Sequence, residues 1–416
     1  MAQWKTVKIR DVAQVKGGKR LPLGCSVQDE PTSHPYVRVT DFHGGILDRT
    51  SVKYITEEIH QAVKRYTISS ADVFISIAGT IGLVGVVPDD FSGANLTENA
   101  AKLCNLSPKI EGRFLMYYLQ SDHGQGQIGA MTVGTSQPKL ALFRIEEIEV
   151  PFPPKEVQKR IAYILTAYDD LIENNTRRGK ILEQMAQMLY REWFVNFRFP
   201  GHEKVKMVES KMGMIPEGWM PSSVGKLCSE VRRGVNPSDV PADTPYIGLE
   251  HMPRKSIALS EWGKAGQVQS TKLRFLRGEI LFGKIRPYFH KVGVASVDGV
   301  CSSDAIVIVP TRTEFFPVVL LCVSSDDFVL QATQTSQGTK MPRANWDVLC
   351  KYPVALPPKT LLDRFGATIV PMVELINNLA LRNRCLQTTR DLLLPKLVSG
   401  EIEIPDVETV LEGATV

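Results

Sequence analysis

Long apolar runs are missing from this chain. None of its stretches approaches the ~20 apolar residues that a helix needs to cross a bilayer. Residues 1–10 carry no apolar core of the kind a secretion signal has, so no leader and no membrane are expected. Paired cysteines are missing too. Cys25, Cys104, Cys228, Cys301, Cys322, Cys350 and Cys385 are scattered, no two stand at CxxC spacing, and an odd count does not make a disulfide framework. A reduced, cytoplasmic compartment follows. An excess of one charge is also lacking: 49 Lys and Arg face 45 Asp and Glu, for a net charge of +4 and a pI near 8.5. Isolated nucleic-acid-binding domains commonly exceed a pI of about 9, so charge alone does not point to DNA.

Motifs that carry chemistry are scarce as well. No GxxxxGK[ST] loop occurs, which excludes ATP binding by that route. In Gly79-Thr80-Ile81-Gly82-Leu83-Val84-Gly85 the glycines fall three apart and lead into a strand, so this is not a dinucleotide fingerprint. His34, His43, His123, His251 and His290 have no Cys or His at ligand spacing, which argues against zinc. Asp72 and Glu279 open strands without a nearby Glu-x-Lys, so a nuclease core is not supported, and Asp169-Asp170 reads as a solvated pair. Phe152-Pro153-Pro154-Lys155 lacks the acidic or amide residue of an amino-methyltransferase loop and reads as a helix start.

What is present is a repeat. Residues 134–193 recur at 338–397 with a constant offset of 204 and no gap. Gly134-Thr135 returns as Gly338-Thr339, Pro138-Lys139 as Pro342-Arg343, and Pro153-Pro154-Lys155 as Pro357-Pro358-Lys359. Arg160, Leu171, Ile172, Asn174, Arg178, Leu182 and Leu189 return as Arg364, Leu375, Ile376, Asn378, Arg382, Leu386 and Leu393. Such self-similarity governs any reading of the fold. Each copy ends in a helix of roughly 35 residues, about 50 Å long at about 1.5 Å per residue. Proline suits the first turn, so the Pro-Pro pairs mark the helix starts.

Apolar residues recur every seven positions along both helices. In the first, Ile161, Tyr168, Leu182 and Leu189 form one column and Val157, Ile164, Leu171 and Met185 a second, interrupted by Asn175 and Arg178. In the second, Phe365, Met372, Leu379, Leu386 and Leu393 form one column and Leu361 and Leu375 the other. These are coiled-coil seams, and the simplest partner for each helix is its own repeat, antiparallel. Pro371 stands where the first copy has Ala167, which predicts a kink.

The rest of each half reads as short strands. Tyr36-Val37-Arg38-Val39-Thr40 alternates, Asp72-Val73-Phe74-Ile75-Ser76-Ile77 is β-branched and aromatic, and 83–87 is a further strand. A short helix is expected over 112–119 and a glycine-rich loop over 124–134. The second half answers more loosely: Trp219 for Trp4, Pro245-Tyr246-Ile247 for Pro35-Tyr36-Val37, Glu279-Ile280-Leu281-Phe282 for Asp72-Val73-Phe74-Ile75, and Gly293-Val294-Ala295 for Gly85-Val86-Val87. The expected class is therefore α+β. Two mixed α/β domains, 1–150 and 216–355, are joined by two long antiparallel coiled-coil helices, 151–200 and 356–402, with an internal pseudo-twofold repeat. A polar linker is expected over 201–215 and a tail over 403–416.

Three stretches carry a family resemblance. Leu393-Leu394-Pro395-Lys396-Leu397-Val398-Ser399-Gly400-Glu401-Ile402 resembles the end of the distal helix in specificity subunits of type I restriction-modification enzymes. Ile215-Pro216-Glu217-Gly218-Trp219 resembles the entry to that family's second target-recognition domain. Gly134-Thr135-Ser136-Gln137-Pro138-Lys139, running into Pro151-Phe152-Pro153-Pro154, resembles the exit from its first. The likeness covers essentially the whole chain. It implies a non-catalytic subunit of a methyltransferase/endonuclease complex in a bacterial or archaeal cell, with two domains each reading one half of a split, asymmetric double-stranded DNA site. It implies helices that dock two modification subunits, with restriction/translocase subunits joining them. It places no cofactor in this chain and S-adenosylmethionine, ATP and Mg on the partners. A coiled-coil scaffold with protein-binding domains would explain the helices and mild charge, but not the family-like ending or the paired Gly-Thr loops. A methyltransferase in its own right would need the motifs that are missing.

DNA reading needs cations and amides on loops, to hold phosphates and to meet base edges. Candidates are Arg38, Thr40 and Asp41, answered by Glu250 and His251; Thr135, Gln137 and Lys139, answered by Thr339, Lys340 and Arg343; and Lys284, Arg286 and Tyr288. Lys139 and Arg343 are expected to hold phosphates, and Gln137, Lys284 and Arg286 to lie near bases. On the helices, Tyr168, Leu171, Arg178, Leu182, Leu375, Arg382 and Leu386 are the expected docking positions for partner subunits.

Overall fold

The structure, a computed structural model, describes residues 4–43, 45–134, 138–338 and 340–402. The chain forms two compact units. One joins the described residues up to Asp170 with those from Gln387 onward; the other is Leu171–Leu386. Each unit takes in a stretch of both long helices, because the apolar face of each helix is covered by the domain and helix segment nearest to it.

In the first unit a four-stranded sheet has the order Gln14–Gly17, Ala100–Cys104, Val73–Ser76, Val84–Gly85. A second has the order Lys53–Tyr54, Pro35–Val37, Ala94–Leu96, Thr67–Ile68. In the second unit, Cys228–Glu230, Ala305–Pro310, Ile280–Gly283 and Val292–Ala295 repeat the first order, and Ala258–Leu259 adds an edge. Gly263–Lys264, Pro245–Ile247, Gly299–Cys301 and Lys272–Phe275 repeat the second order, with Gly234–Val235 added. Both units have a parallel pair at the same place, Asn95 beside Tyr36 and Val300 beside Tyr246, and the added edge strand gives the second unit another, Ala258 beside Val294. The repeat therefore extends to the diverged domains.

Several local expectations need correction. The strand expected over Tyr36 to Thr40 stops at Val37, because Arg38 and Asp41 bracket a 3-10 turn, Val39–Asp41. The glycine-rich 124–134 stretch is not a loop: Asp122–Met131 is a helix. Ser121 caps it by accepting the Gly124 N–H, and Gly124 lies so close to the Tyr118 carbonyl that a side chain there would collide. The 201–215 stretch is not an open linker but holds a hairpin, Met207–Ser210 with Gly213–Pro216. The helix Gly112–Gln120 forms as expected, but Phe114 to Leu119 are all buried rather than confined to one side.

The first long helix is Lys155–Tyr190, extended by a π-helical turn, Arg191–Val195. The second is Lys359–Ser399. Each starts directly after its Pro-Pro pair, with the Pro154 and Pro358 carbonyls accepting the first helical N–H groups. In the second unit Asn175 meets Asn383 (2.9 Å) and Trp193 meets Phe365 (ring centroids 5.3 Å apart), so the partners run antiparallel. In the first unit Asp169 pairs with Arg390, and Ile161 and Leu165 share a core with Leu394 and Leu397. The column through Ile161, Tyr168, Leu182 and Leu189 faces inward as expected. The companion column does so only in its first half, where Val157 and Ile164 pack on the core. Leu165, Ile172, Ala186 and Trp193 are the buried set, whereas Leu171 is 53% exposed and Met185 44%. On the second helix Leu362, Ile369 and Ile376 are buried, and Leu375 is 37% exposed.

Pro371 does not end the second helix. It and Ala367 lie on the solvent side, where water can satisfy the carbonyl left without an N–H. Asp169 is not a solvated surface acid: it accepts from the Tyr117 hydroxyl and the Arg390 guanidinium, and burial beside that carboxylate pushes the Tyr117 phenol well up. In the second unit an aromatic cluster of Tyr190, Trp193, Phe194, Phe199, Trp219 and Phe365 ties both helices to the hairpin entry. Aromatic pairs add about 0.5–1.5 kcal/mol each beyond their area.

Candidate nucleic-acid interface

In both units the same three backbone segments meet at one end of the first sheet. In the first unit, Ile77 donates to the Asn99 carbonyl (2.8 Å) and its own carbonyl accepts from Leu140 (3.0 Å). Val133 and Lys139 exchange N–H···O bonds (3.1 and 2.9 Å), which closes the loop between them. In the second unit, Lys284 donates to the Asp304 carbonyl (2.9 Å) and accepts from Ala344 (2.8 Å). Gln337 and Arg343 close their loop with the same two bonds (3.0 and 2.8 Å). Gly134 and Gly338 lead these loops at φ +104° and +100°, a backbone region open mainly to glycine.

The expected loop residues thus come together, and several present free chemistry. Lys139 and Lys340 are exposed, and their ammonium groups have no ion-pair partner among the described residues. Arg343 is 58% exposed and only loosely paired with Asp304 (3.6 Å). Lys284 is half-buried, and Tyr288 is 50% exposed beside the Phe289 ring. Thr135, Gln137 and Thr339 lie outside the described residues.

The other expected trio divides. Asp41 is fully buried. Its carboxylate accepts from the Arg38 N–H (2.8 Å), Nε (3.2 Å) and Nη2 (2.6 Å), and Arg38 also donates to the Ser51 carbonyl (2.8 Å). Neither group is free to meet a base in this arrangement; together they hold the turn. In the second unit His251 takes the place of Asp41: its Nδ1 accepts the Gly248 N–H (3.0 Å), so it too is turned inward. Thr40 and Glu250, at the turn tips, are exposed.

Sequence reasoning passed over Lys19 and Arg20. Gly18 donates to the Ala100 carbonyl and Lys19 to Leu96, which puts both cations beside Glu98 at the same sheet end, with Arg20 3.4 Å from that carboxylate. Gly18 has no room for a side chain, since an added Cβ would lie 2.1 Å from the Thr97 carbonyl oxygen. The Gly17-Gly18-Lys19-Arg20 run was the available signal: glycines for close backbone approach, followed by two cations.

The buried acids have structural duties. Asp72 caps its turn at Ser69 and pairs with Lys102 (2.9 Å); Glu279 caps at Leu276 and grips Arg233 through two 2.8 Å bonds. Beside the first long helix a cleft of about 440 Å³ is lined by Glu183, Gln187, His290 and Asp326. Glu183 accepts from Ser256 and Ile257, and burial pushes its carboxyl above the usual range. His290 Nε2 donates to the Ser324 carbonyl (2.8 Å). This is a satisfied set without a nucleophile held by a base. Among the described residues no group of three or more His, Cys, Asp or Glu could hold a metal ion, and no single helix is long and apolar enough to cross a membrane.

On the long helices, Leu182 packs on the core of its unit, and Tyr168 and Leu386 are half-buried. Leu171 and Leu375, and Arg178 and Arg382, stand exposed at matching repeat positions.

Two α/β domains of like topology, each packed with stretches of both long helices and with cationic loops at matched sheet ends, make an α+β protein. Comparison with known proteins says of what kind. Residues 1–184 match the family model described as the type I restriction modification DNA specificity domain. The MjaIX specificity subunit of Methanocaldococcus jannaschii is 24% identical over 97% of this chain and 94% of its own length. The EcoDI specificity subunit of Escherichia coli is 25% identical over 54% of this chain and 55% of its own. The S subunit of a type I restriction-modification system from M. genitalium shares the fold, with a TM-score of 0.61 and 16% identity over 97% of this chain and 96% of that one. Over nearly its whole length the chain is thus similar to type I restriction-modification specificity subunits, and its first 184 residues match their DNA specificity domain.

Proposed function

We propose that each unit reads one half of a bipartite, asymmetric double-stranded DNA site, and that the long helices fix the unread gap between the halves. The observation that carries this reading is the matched closure of the 133–139 and 337–343 loops against the strand ends at Ile77 and Lys284. Divergence of the two domains in sequence implies two different half-sites. Lys139, Lys340 and Arg343 hold phosphates; Gln137, Lys284 and Arg286 lie near base edges, with Thr135, Thr339 and Tyr288 flanking them. Thr40 and Glu250 contribute from the turn tips, with Lys19 and Arg20 beside them. Arg38, Asp41 and His251 support the turns. Leu171, Leu375, Arg178 and Arg382 lie on the surfaces that dock two modification subunits, and restriction/translocase subunits join that assembly. S-adenosylmethionine, ATP and Mg belong to those partners, and the complex works in the cytoplasm.

Single-molecule methylation mapping of genomic DNA tests the reading, in cells carrying this chain with its modification partner against cells lacking this chain. The expected result is a new motif of two short half-sites around a fixed gap. Methylation without a split motif, or no motif with the complex assembled, would sink it.

A further inference from the structure

We infer that Arg286 is a base-reading residue that recognises the guanine of a G·C pair in the half-site of the second unit. The inference rests on the DNA-reading function proposed above and adds the residue and the base.

The two units share one loop and fill it differently. Ser76 donates to the Leu83 carbonyl (2.9 Å) and Gly283 to Lys291 (2.8 Å), so 77–82 and 284–290 are the same loop, one residue longer in the second unit. Ala78 bridges to Lys139 and Ile285 to Arg343, which makes Gly79 the counterpart of Arg286. Both loops turn twice through the left-handed region. In the first unit the turning residues are Gly79 (φ +75°) and Gly82 (φ +84°); in the second they are Arg286 (φ +50°) and His290 (φ +51°). The fold thus imposes the conformation, and glycine is its low-strain occupant. A larger side chain at such a position needs a reason.

His290 has one within the protein. It is 8% exposed, donates through Nε2 to the Ser324 carbonyl, and lies 3.4 Å from Asp326. Among the described residues Arg286 has none. Its Nε is buried without a hydrogen-bond partner there, and of those residues Nη2 reaches only the Lys340 carbonyl, at 3.5 Å. Its backbone N–H is held by the Pro342 carbonyl (2.7 Å), so the position is fixed while the guanidinium is left unused. It stands in the loop cluster that carries Lys284 and Arg343. A guanidinium on a fixed backbone offers two parallel N–H groups, which match O6 and N7 of guanine in the major groove; no other base edge there presents two acceptors. Moving outward to that edge also frees Nε from its unpaired burial.

The test compares wild-type chain with Arg286→Gly, each assembled with the modification partner, by methylation mapping and thermal melting. Glycine is the residue that the other unit uses at this site, so the variant is expected to melt at or above the wild-type temperature. The wild-type motif is expected to hold a G·C pair whose selectivity falls by about tenfold or more in the variant, with the other half-site unchanged. A lower melting temperature would give the side chain a structural duty and overturn the assignment. So would relaxation at an A·T pair, an even loss across the motif, or an unchanged motif. If the wild-type complex yields no split motif, the DNA-reading function itself falls, and the assignment with it.

Discussion

Asp41 shows how a residue suited to base reading can be committed elsewhere. Its side chain is wholly buried and accepts three hydrogen bonds from Arg38. Asp41→Ala leaves a cation without its buried partner, which typically costs about 3 kcal/mol. Thermal melting of the variant should show a clear loss of stability, while the half-site read by the second unit stays the same. Glu183 behaves oppositely. Burial raises its carboxyl above the ordinary value of 4.5, so the ionised form is the disfavoured one in the folded chain. The resulting penalty is absent below the unfolded value and grows as pH rises through the folded one. Glu183→Gln keeps an acceptor for Ser256 and Ile257 and removes the charge. It should stabilise the chain at neutral pH, and the gain should fade as melting is repeated toward pH 4. A gain that persisted undiminished at acid pH would mean that burial of the charge is not its source.

At the scale of the helices, the seven-residue period was legible and the choice of face was not. The first helix carries adjacent apolar pairs, Ile164 and Leu165, Leu171 and Ile172, Met185 and Ala186. Either member of each pair completes a seam, and only the partner's position decides that Leu165, Ile172 and Ala186 go inward. The second helix repeats the ambiguity in Leu361 and Leu362, and in Leu375 and Ile376. Asn175, which looked like an interruption, is part of the seam. It donates to Asn383, whose amide in turn bonds the Ile172 carbonyl and Thr176. A polar pair at this place fixes register at some expense of stability. Asn383→Ala should destabilise the chain by about 1–3 kcal/mol, since Asn175 loses its partner. Leucine at both positions should raise the melting temperature but broaden the set of oligomers seen by light scattering; a single sharp species would show that the pair does not specify register. The loops were legible as a matched set because the 204-residue offset is ungapped there. Strand order was not, because the strands are two to six residues long and pair across distant segments.

For the whole molecule, the ruler idea makes a geometric prediction. Adding seven residues to each long helix, between Asn174 and Arg178 and between Asn378 and Arg382, preserves the seam. It lengthens the spacer by about 10 Å at about 1.5 Å per residue, which is about three base pairs at ~3.4 Å each. Methylation mapping should find the gap longer and both half-sites unaltered; a change in the half-site sequences would refute the ruler. The net charge of +4 bears on partners. A chain so mildly basic should bind DNA weakly and salt-sensitively by itself, and tightly once modification subunits add their own positive surface. Filter binding of the isolated chain checks this, and tight, salt-resistant retention would count against shared electrostatics.

The first unit also has an unusual relation to the order of synthesis. Its core is closed by Leu394, Leu397 and Val398, and Gly400 lies against Trp4, so residues made early wait for residues made much later. The second unit, Leu171–Leu386, is complete in the nascent chain before that closure can occur. A ribosome that stops a few codons short of Leu394 therefore releases a chain whose later unit is whole and whose earlier unit is unfinished. Translation that runs through Gly400 closes a core begun near Trp4, so the first unit is finished only after the second has been made.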